Sequence, residues 1–182
     1  MRFRLSLTAF IIAVVVSNVH AQQSSYAGEQ QQAIKSLSQK EIDDYLSGAG
    51  MGFARAAELN HYPGPRHVMD LAQQLNLTEQ QAARTKEIYE TMRTKAVELG
   101  KTIIEQERLL NQRFADKSID QKQLTAQTNR IAGLQGQLRA AHLSAHLAMK
   151  KALSAEQIQK YDELRGYADE QNPANKEHLH KH

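Results

Sequence analysis

Residues 78–115 read TEQQAARTKEIYETMRTKAVELGKTIIEQERLLNQRFA, and the apolar positions Ile88, Met92, Ala96, Leu99, Ile103, Leu110 and Phe114 recur by threes and fours, with one step of seven across Gln106. That spacing draws one apolar stripe along an amphipathic helix of roughly 37 residues, about 55 Å at 1.5 Å per residue. Thr78 and Gln81 make a capping box at its start, and Leu77 and Ala82 hold the staple positions. Asp116-Lys117-Ser118 then turns the chain, with Ser118 and Gln121 predicted to cap a second long helix running to about Ala152. Its stripe is Leu124, Ile131, Leu134, Leu138, Ala141, Ala145, Ala148 and Ala152. So short a turn forces the two helices into an antiparallel hairpin.

Shorter elements flank it. Ser38 with Glu41 is a capping box for a helix ending near Gly48, and the glycine-broken stretch Gly48-Ala49-Gly50-Met51-Gly52 leads into a second short helix, Phe53 to Leu59, with Asn60 at its C-terminus. His61-Tyr62-Pro63-Gly64-Pro65 is a rigid turn, and Pro65 suits the first position of a helix reaching about Leu75. Ser154 and Gln157 cap a last helix to about Ala168. Strand signals are nearly absent. The expected class is all-α: a long antiparallel hairpin with short flanking helices, spanning 38–170 as one domain.

The 182 residues carry 23 Lys+Arg against 20 Asp+Glu, ten aromatics and no cysteine. Arg2 and Arg4 precede an apolar run from Leu5 to Val16, and Val19-His20-Ala21 places small residues at the −3 and −1 positions. This is the form of a secretory signal peptide over 1–21, cleaved after Ala21, because an apolar run of twelve is short for a spanning helix. Without it, 21 basic and 20 acidic side chains remain in 161 residues. A near-neutral chain lacks the electrostatic footprint of a nucleic-acid binder. Absence of cysteine excludes thiol chemistry and disulfides, and the periplasm is the expected location. Residues 22–37, rich in Gln and Ser, read as a flexible arm, and 171–182 as a flexible histidine-bearing tail.

His142 and His146 are four apart and Met149 follows three later, all on one flank of a helix. Such a pair suits zinc, nickel or copper, and a thioether adds preference for softer ions. With Leu143, Ser144 and Ala145 between the histidines there is no HExxH, so metalloprotease chemistry is not expected. The unadorned alternative is a pair of helix-face histidines without metal. His178, His180 and His182 could hold metal loosely in the tail; His61 and His67 flank the Pro-Gly-Pro turn, where a structural role is the default. Gly48-x-Gly50-x-Gly52 has no preceding strand and not the full dinucleotide spacing, so it is no nucleotide fingerprint. No hydrolytic constellation is evident, and the chain reads as a non-enzyme. Leu143 and Leu147 point away from the second stripe and must face a short helix, a second subunit or a bound chain.

Leu77-Thr78-Glu79-Gln80-Gln81 reads LTxxQ and Leu153-Ser154-Ala155-Glu156-Gln157 reads LSxxQ. An exported, cysteine-free helical chain with two such motifs bracketing a long hairpin resembles the Spy/CpxP family of periplasmic chaperones and stress regulators, with metal-binding relatives of the ZraP and CnrX type. The resemblance covers about residues 48–167. It implies a hooked four-helix fold that dimerises into a cradle, binds unfolded or misfolded envelope proteins without ATP or any required cofactor, and communicates with a membrane-bound stress sensor. Met92, Ile103, Leu143, Leu147 and Met149 are the client-binding candidates on that reading. In the metal-sensing relatives the ligands include a His and a Met just before the second motif, plus groups before the first. Met149 falls at the corresponding place, but His146 lies three rather than four before it, and His67 stands alone before the first motif. Zinc, nickel or copper binding through His142, His146, Met149, His67 or the tail is the alternative function.

Overall fold

The computed structural model describes residues 24–167. The chain divides into two units, Met1–Gln31 and Gln32–His182. In the first, the described residues form turns ending in a 3-10 turn, Glu29–Gln31. The second holds six helices among the described residues: α1 Gln39–Ser47, α2 Arg55–Glu58, α3 Pro65–Asp70, α4 Glu79–Ala115, α5 Gln121–Ala152 and α6 Ala155–Arg165. No strand occurs among the described residues, and no helix there is long and apolar enough to cross a membrane.

Local hydrogen bonding explains the boundaries. Ser38, Thr78 and Ser154 each close a complete capping box, accepting from the backbone three residues on while Glu41, Gln81 or Gln157 reaches back. The cap of α5 differs from the sequence expectation: Asp120 with Gln123 forms the box, not Ser118 with Gln121. Ser118 instead finishes the preceding helix, its amide donating to the Arg113 carbonyl at 3.0 Å after Lys117 turns left-handed at φ 53°. Asn60 caps α2 as expected, through its side-chain amide to the Ala56 carbonyl at 2.7 Å. The helix from Pro65 is shorter than predicted, giving way at Leu71 to a series of turns.

α4 and α5 form the hairpin, and Ile88, Ala96, Leu99 and Ile103 of one stripe and Ile131, Leu138 and Ala145 of the other are buried. Gln106, where the first stripe breaks, is used rather than wasted. Buried Gln127 donates to its carbonyl at 2.9 Å and to its side-chain oxygen at 3.2 Å, so a polar pair fills that layer with the Gln127 side-chain amide bonded across the hairpin. Two apolar clusters result. One gathers Tyr45 of α1 with Leu99, Ile103 and Leu138 at mid-hairpin; the other joins Val68, Leu75, Ile88, Met149, Leu153 and Tyr161 at the α4 N-terminal end. The arm expected over 22–37 is anchored in its second part: Ile34 and Leu37 are buried in the first cluster, and Asn111 of α4 donates to the Ala33 carbonyl at 3.3 Å.

The two LxxxQ motifs are joined directly. Gln81 donates to Gln157 Oε1 at 2.8 Å and to the Ala152 carbonyl at 3.0 Å, while Gln157 donates to Gln81 Oε1 at 3.0 Å and to the Leu75 carbonyl at 3.2 Å. Each oxygen also accepts the amide of its own cap, Thr78 at 3.1 Å and Ser154 at 2.9 Å. All four side-chain N–H groups are therefore spent, and each oxygen accepts both from its own cap and from the facing glutamine.

Candidate functional site

Where α5 passes the Pro63-Gly64-Pro65 turn, a cavity of about 750 Å³ opens between α2, α3, α4, α5 and the chain beyond α6. His67, His142 and His146 line it together with Glu58 and Met92. His142 and His146 are only 3% and 8% exposed, so the helix-face pair inferred from sequence is an enclosed one.

His146 Nδ1 lies 2.7 Å from the Tyr62 carbonyl. A carbonyl oxygen only accepts, so the proton sits on Nδ1, and in the neutral ring Nε2 keeps the lone pair. That Nε2 looks past Gly64, where an added Cβ would come within 3.3 Å of it and 3.2 Å of Glu58 Oε2. Glycine keeps this wall open. His142 stacks on Phe53 at 6.1 Å between ring centroids, and its Nε2 is buried with no hydrogen-bond partner among the described residues. Burial holds His142 below the ordinary histidine range, helped by neighbouring His146; burial and Arg165 do the same for His67. Both shifts favour the neutral form of the ring, the form that binds a metal.

Glu58 ties this end of the cavity to α6. Tyr161, fully buried, donates its hydroxyl to Glu58 Oε1 at 2.5 Å and accepts from the Gly64 amide at 3.3 Å. Burial and the Glu58 partner push the Tyr161 phenol well above its usual range. Arg165 Nε lies 3.4 Å from the same Oε1, an ion pair by distance, yet that atom makes no aligned hydrogen bond. We read the contact as Coulombic. Beside it, His61 Nδ1 meets Asp162 Oδ2 at 2.9 Å, and burial nonetheless pushes the Asp162 carboxyl up.

The other sequence candidates are dispersed. Met149 is wholly enclosed in the second apolar cluster and does not line the cavity; the thioethers on the cavity lining are those of Met92, which the sequence suggested only as a client contact, and Met51. Ile103 is also fully buried, whereas Leu147 is 53% exposed and Leu143 half-buried. His178, His180 and His182 lie outside the described residues. Glu58, Tyr161 and Arg165 were not singled out from sequence. The one available signal is that Tyr161 and Arg165 stand four apart on the last helix, beside apolar Ile158.

Two imidazoles, one with an unpartnered buried nitrogen and one with its tautomer fixed by a carbonyl, fit a borderline divalent ion in donor type. As placed, no three His, Cys, Asp or Glu side chains among the described residues are grouped to hold one. Fold and cavity together define a helical-hairpin protein with two LTxxQ-type caps clasped to each other and a histidine-lined cavity. The chain belongs to the heavy-metal resistance family, whose sequence model matches residues 46–160 and which contains the Spy/CpxP/ZraP-like periplasmic helical proteins. No curated protein and no solved structure matches the chain.

Proposed function

We propose that the protein is an exported, non-enzymatic binder of a borderline divalent metal ion, zinc, nickel or copper, with His142 and His146 as its central ligands. The observation that carries this is the buried, unpartnered Nε2 of His142, one helical turn from a histidine whose Nδ1–H is already committed to a backbone carbonyl. An orphaned buried nitrogen costs on the order of 1–3 kcal/mol, and a metal bond would remove that cost. His67, Glu58, Met51 and Met92 line the same cavity and could complete the set. Recruiting Glu58 would draw it from Tyr161 and Arg165, so metal uptake would be felt at α6.

Calorimetry with zinc, nickel and copper salts on chelator-treated protein is the test. Wild type is expected to bind one ion, and His142→Ala/His146→Ala to lose at least a hundredfold in affinity. Equal binding by the double variant sinks the reading.

A second activity, holding unfolded envelope proteins without ATP, is favoured by apolar surface along the α4–α5 hairpin. There Leu147 is exposed, and beside it a groove of about 370 Å³ is lined by Ile88, Met92, Ala141, Ala145 and Ala148. A second copy of the chain is the other partner this face would suit. The purified protein is expected to slow aggregation of a reduced or heat-unfolded test client, and Leu147→Gln to weaken that effect. No slowing at several-fold molar excess, with or without metal, eliminates this activity.

A further inference from the structure

The cavity's charge does not match its histidines alone. Four guanidinium groups, Arg55, Arg66, Arg93 and Arg165, line it against the single carboxylate of Glu58. The whole chain carries only +3, so this is a local concentration of positive charge in a nearly neutral protein. Arg66 is paired with Asp70 and Arg165 with Glu58, but Arg55 and Arg93 have no ion-pair partner among the described residues. Both have exposed side chains on either side of the glycine-broken loop. Arg55 Nη2 comes within 4.0 Å of the position a Cβ on Gly52 would take, and the Arg93 stem packs on Gly48.

That loop lines the cavity with its backbone. Gly48 and Gly52 are left-handed at φ 71° and 75°, Met51 at φ 44°, and among the described residues the amides of Gly50, Met51 and Gly52 have no acceptor. Runs of unpaired amides in such turns form anion-binding concavities, and guanidinium groups match the oxygens of a tetrahedral anion two at a time. The loop is no dinucleotide fingerprint, yet it supplies the same kind of donor.

We infer that the mouth of this cavity is a binding site for a small doubly charged oxyanion of the phosphate or sulfate class, held by Arg55, Arg93 and the amides of Gly50, Met51 and Gly52. These groups are distinct from the imidazole pair, so the anion binds the metal-free protein. A bare divalent cation entering the same cavity meets this positive mouth, and a bound oxyanion would offset that charge.

The test uses the full chain, freed of metal with chelator and titrated separately with inorganic phosphate and with sulfate at constant ionic strength made up with chloride. Wild type is expected to show saturable binding of at least one of the two, with the Gly50, Met51 and Gly52 amide resonances moving together. Arg55→Gln/Arg93→Gln should weaken it at least tenfold, since each charge-assisted hydrogen bond is worth about that factor or more. Arg113→Gln/Arg130→Gln, with the same change in net charge but outside the cavity, should leave it within about twofold. Absence of saturable binding by wild type, equal weakening by the two double variants, or binding that leaves the three amides unmoved overturns the proposal. Because no metal is present, these outcomes are independent of whether His142 and His146 bind an ion.

Discussion

Gln157→Ala is expected to destabilise the protein by about 3 kcal/mol, the net of several part-buried hydrogen bonds at about 1 kcal/mol each. The substitution removes the acceptor for the Ser154 amide, both donors to Leu75 and Gln81, and the acceptor that Gln81 itself uses. Chemical denaturation followed by circular dichroism measures it. Gln81→Ala should cost a similar amount, because it takes away the mirror-image set, including the bond to the Ala152 carbonyl. The double variant is expected to cost clearly less than the sum, since the two reciprocal bonds are lost only once. Gln157→Glu separates capping from clasping. A carboxylate still accepts the Ser154 amide but turns only acceptors toward the Leu75 carbonyl and Gln81 Oε1, so most of the loss should persist. Strict additivity in the double variant would mean that the two motifs act as independent helix caps and that the clasp contributes nothing.

Gly100→Ala is the second large effect, and its sign runs against helix propensity. Gly100 lies in the middle of α4, where alanine would ordinarily stabilise by about 1 kcal/mol. Here an added Cβ would stand 2.4 Å from the Tyr45 carbonyl oxygen and 2.9 Å from its carbon, both backbone atoms of α1. α1 would have to lift by about 1 Å, loosening buried Tyr45 against Leu99 and Ile103. Overpacking of this kind costs about 1–3 kcal/mol and more when backbone must move. The expected net is a loss of about 2 kcal/mol, or roughly 4–8 °C in Tm for a chain of this size. Gly133→Ala and Gly136→Ala supply the contrast. On α5 neither glycine would meet any atom within 4 Å, so each should gain about 0.5–1 kcal/mol in the same measurement. A Gly100→Ala variant as stable as these two would show that α1 does not seat on α4 in the way described.

The glycine contrast also marks how far local pattern reaches. Gly100, Gly133 and Gly136 look alike in sequence, each a glycine inside a long helix and off its apolar stripe. Only the crossing of α1 over α4 makes the first indispensable and leaves the others replaceable. The cap of α5 shows a similar limit on a smaller scale. Ser118 and Asp120 both carry an acceptor side chain three residues before a glutamine, and the choice fell to Asp120 because Ser118 was already used in closing the turn from Arg113.

The site follows the same division. The i,i+4 pair of His142 and His146 was readable, because both nitrogens ride on one helix face. Their burial was not, since it depends on Phe53 and on the Tyr62–Pro65 turn coming against α5 from more than 75 residues away. The same holds for Glu58, which meets Tyr161 across a separation of 103 residues. Met149 illustrates the reverse case, where helical spacing alone placed a sulfur beside the histidines but packing turned it into the apolar cluster with Val68 and Tyr161.

Most of what rests on bonds three or four residues long was legible in the residues alone: the caps at Ser38, Thr78 and Ser154, though not that at Asp120, the two apolar stripes, and through them the antiparallel hairpin. Tertiary structure alone decided which polar groups share an enclosed space. The clasp of Gln81 with Gln157, the Glu58–Tyr161 tie and the meeting of four arginines with His142 and His146 on one cavity wall all depend on closing long stretches of chain. Such contacts leave no periodic trace in the residues that make them, because each partner needs only to be the right chemical group at one point in space.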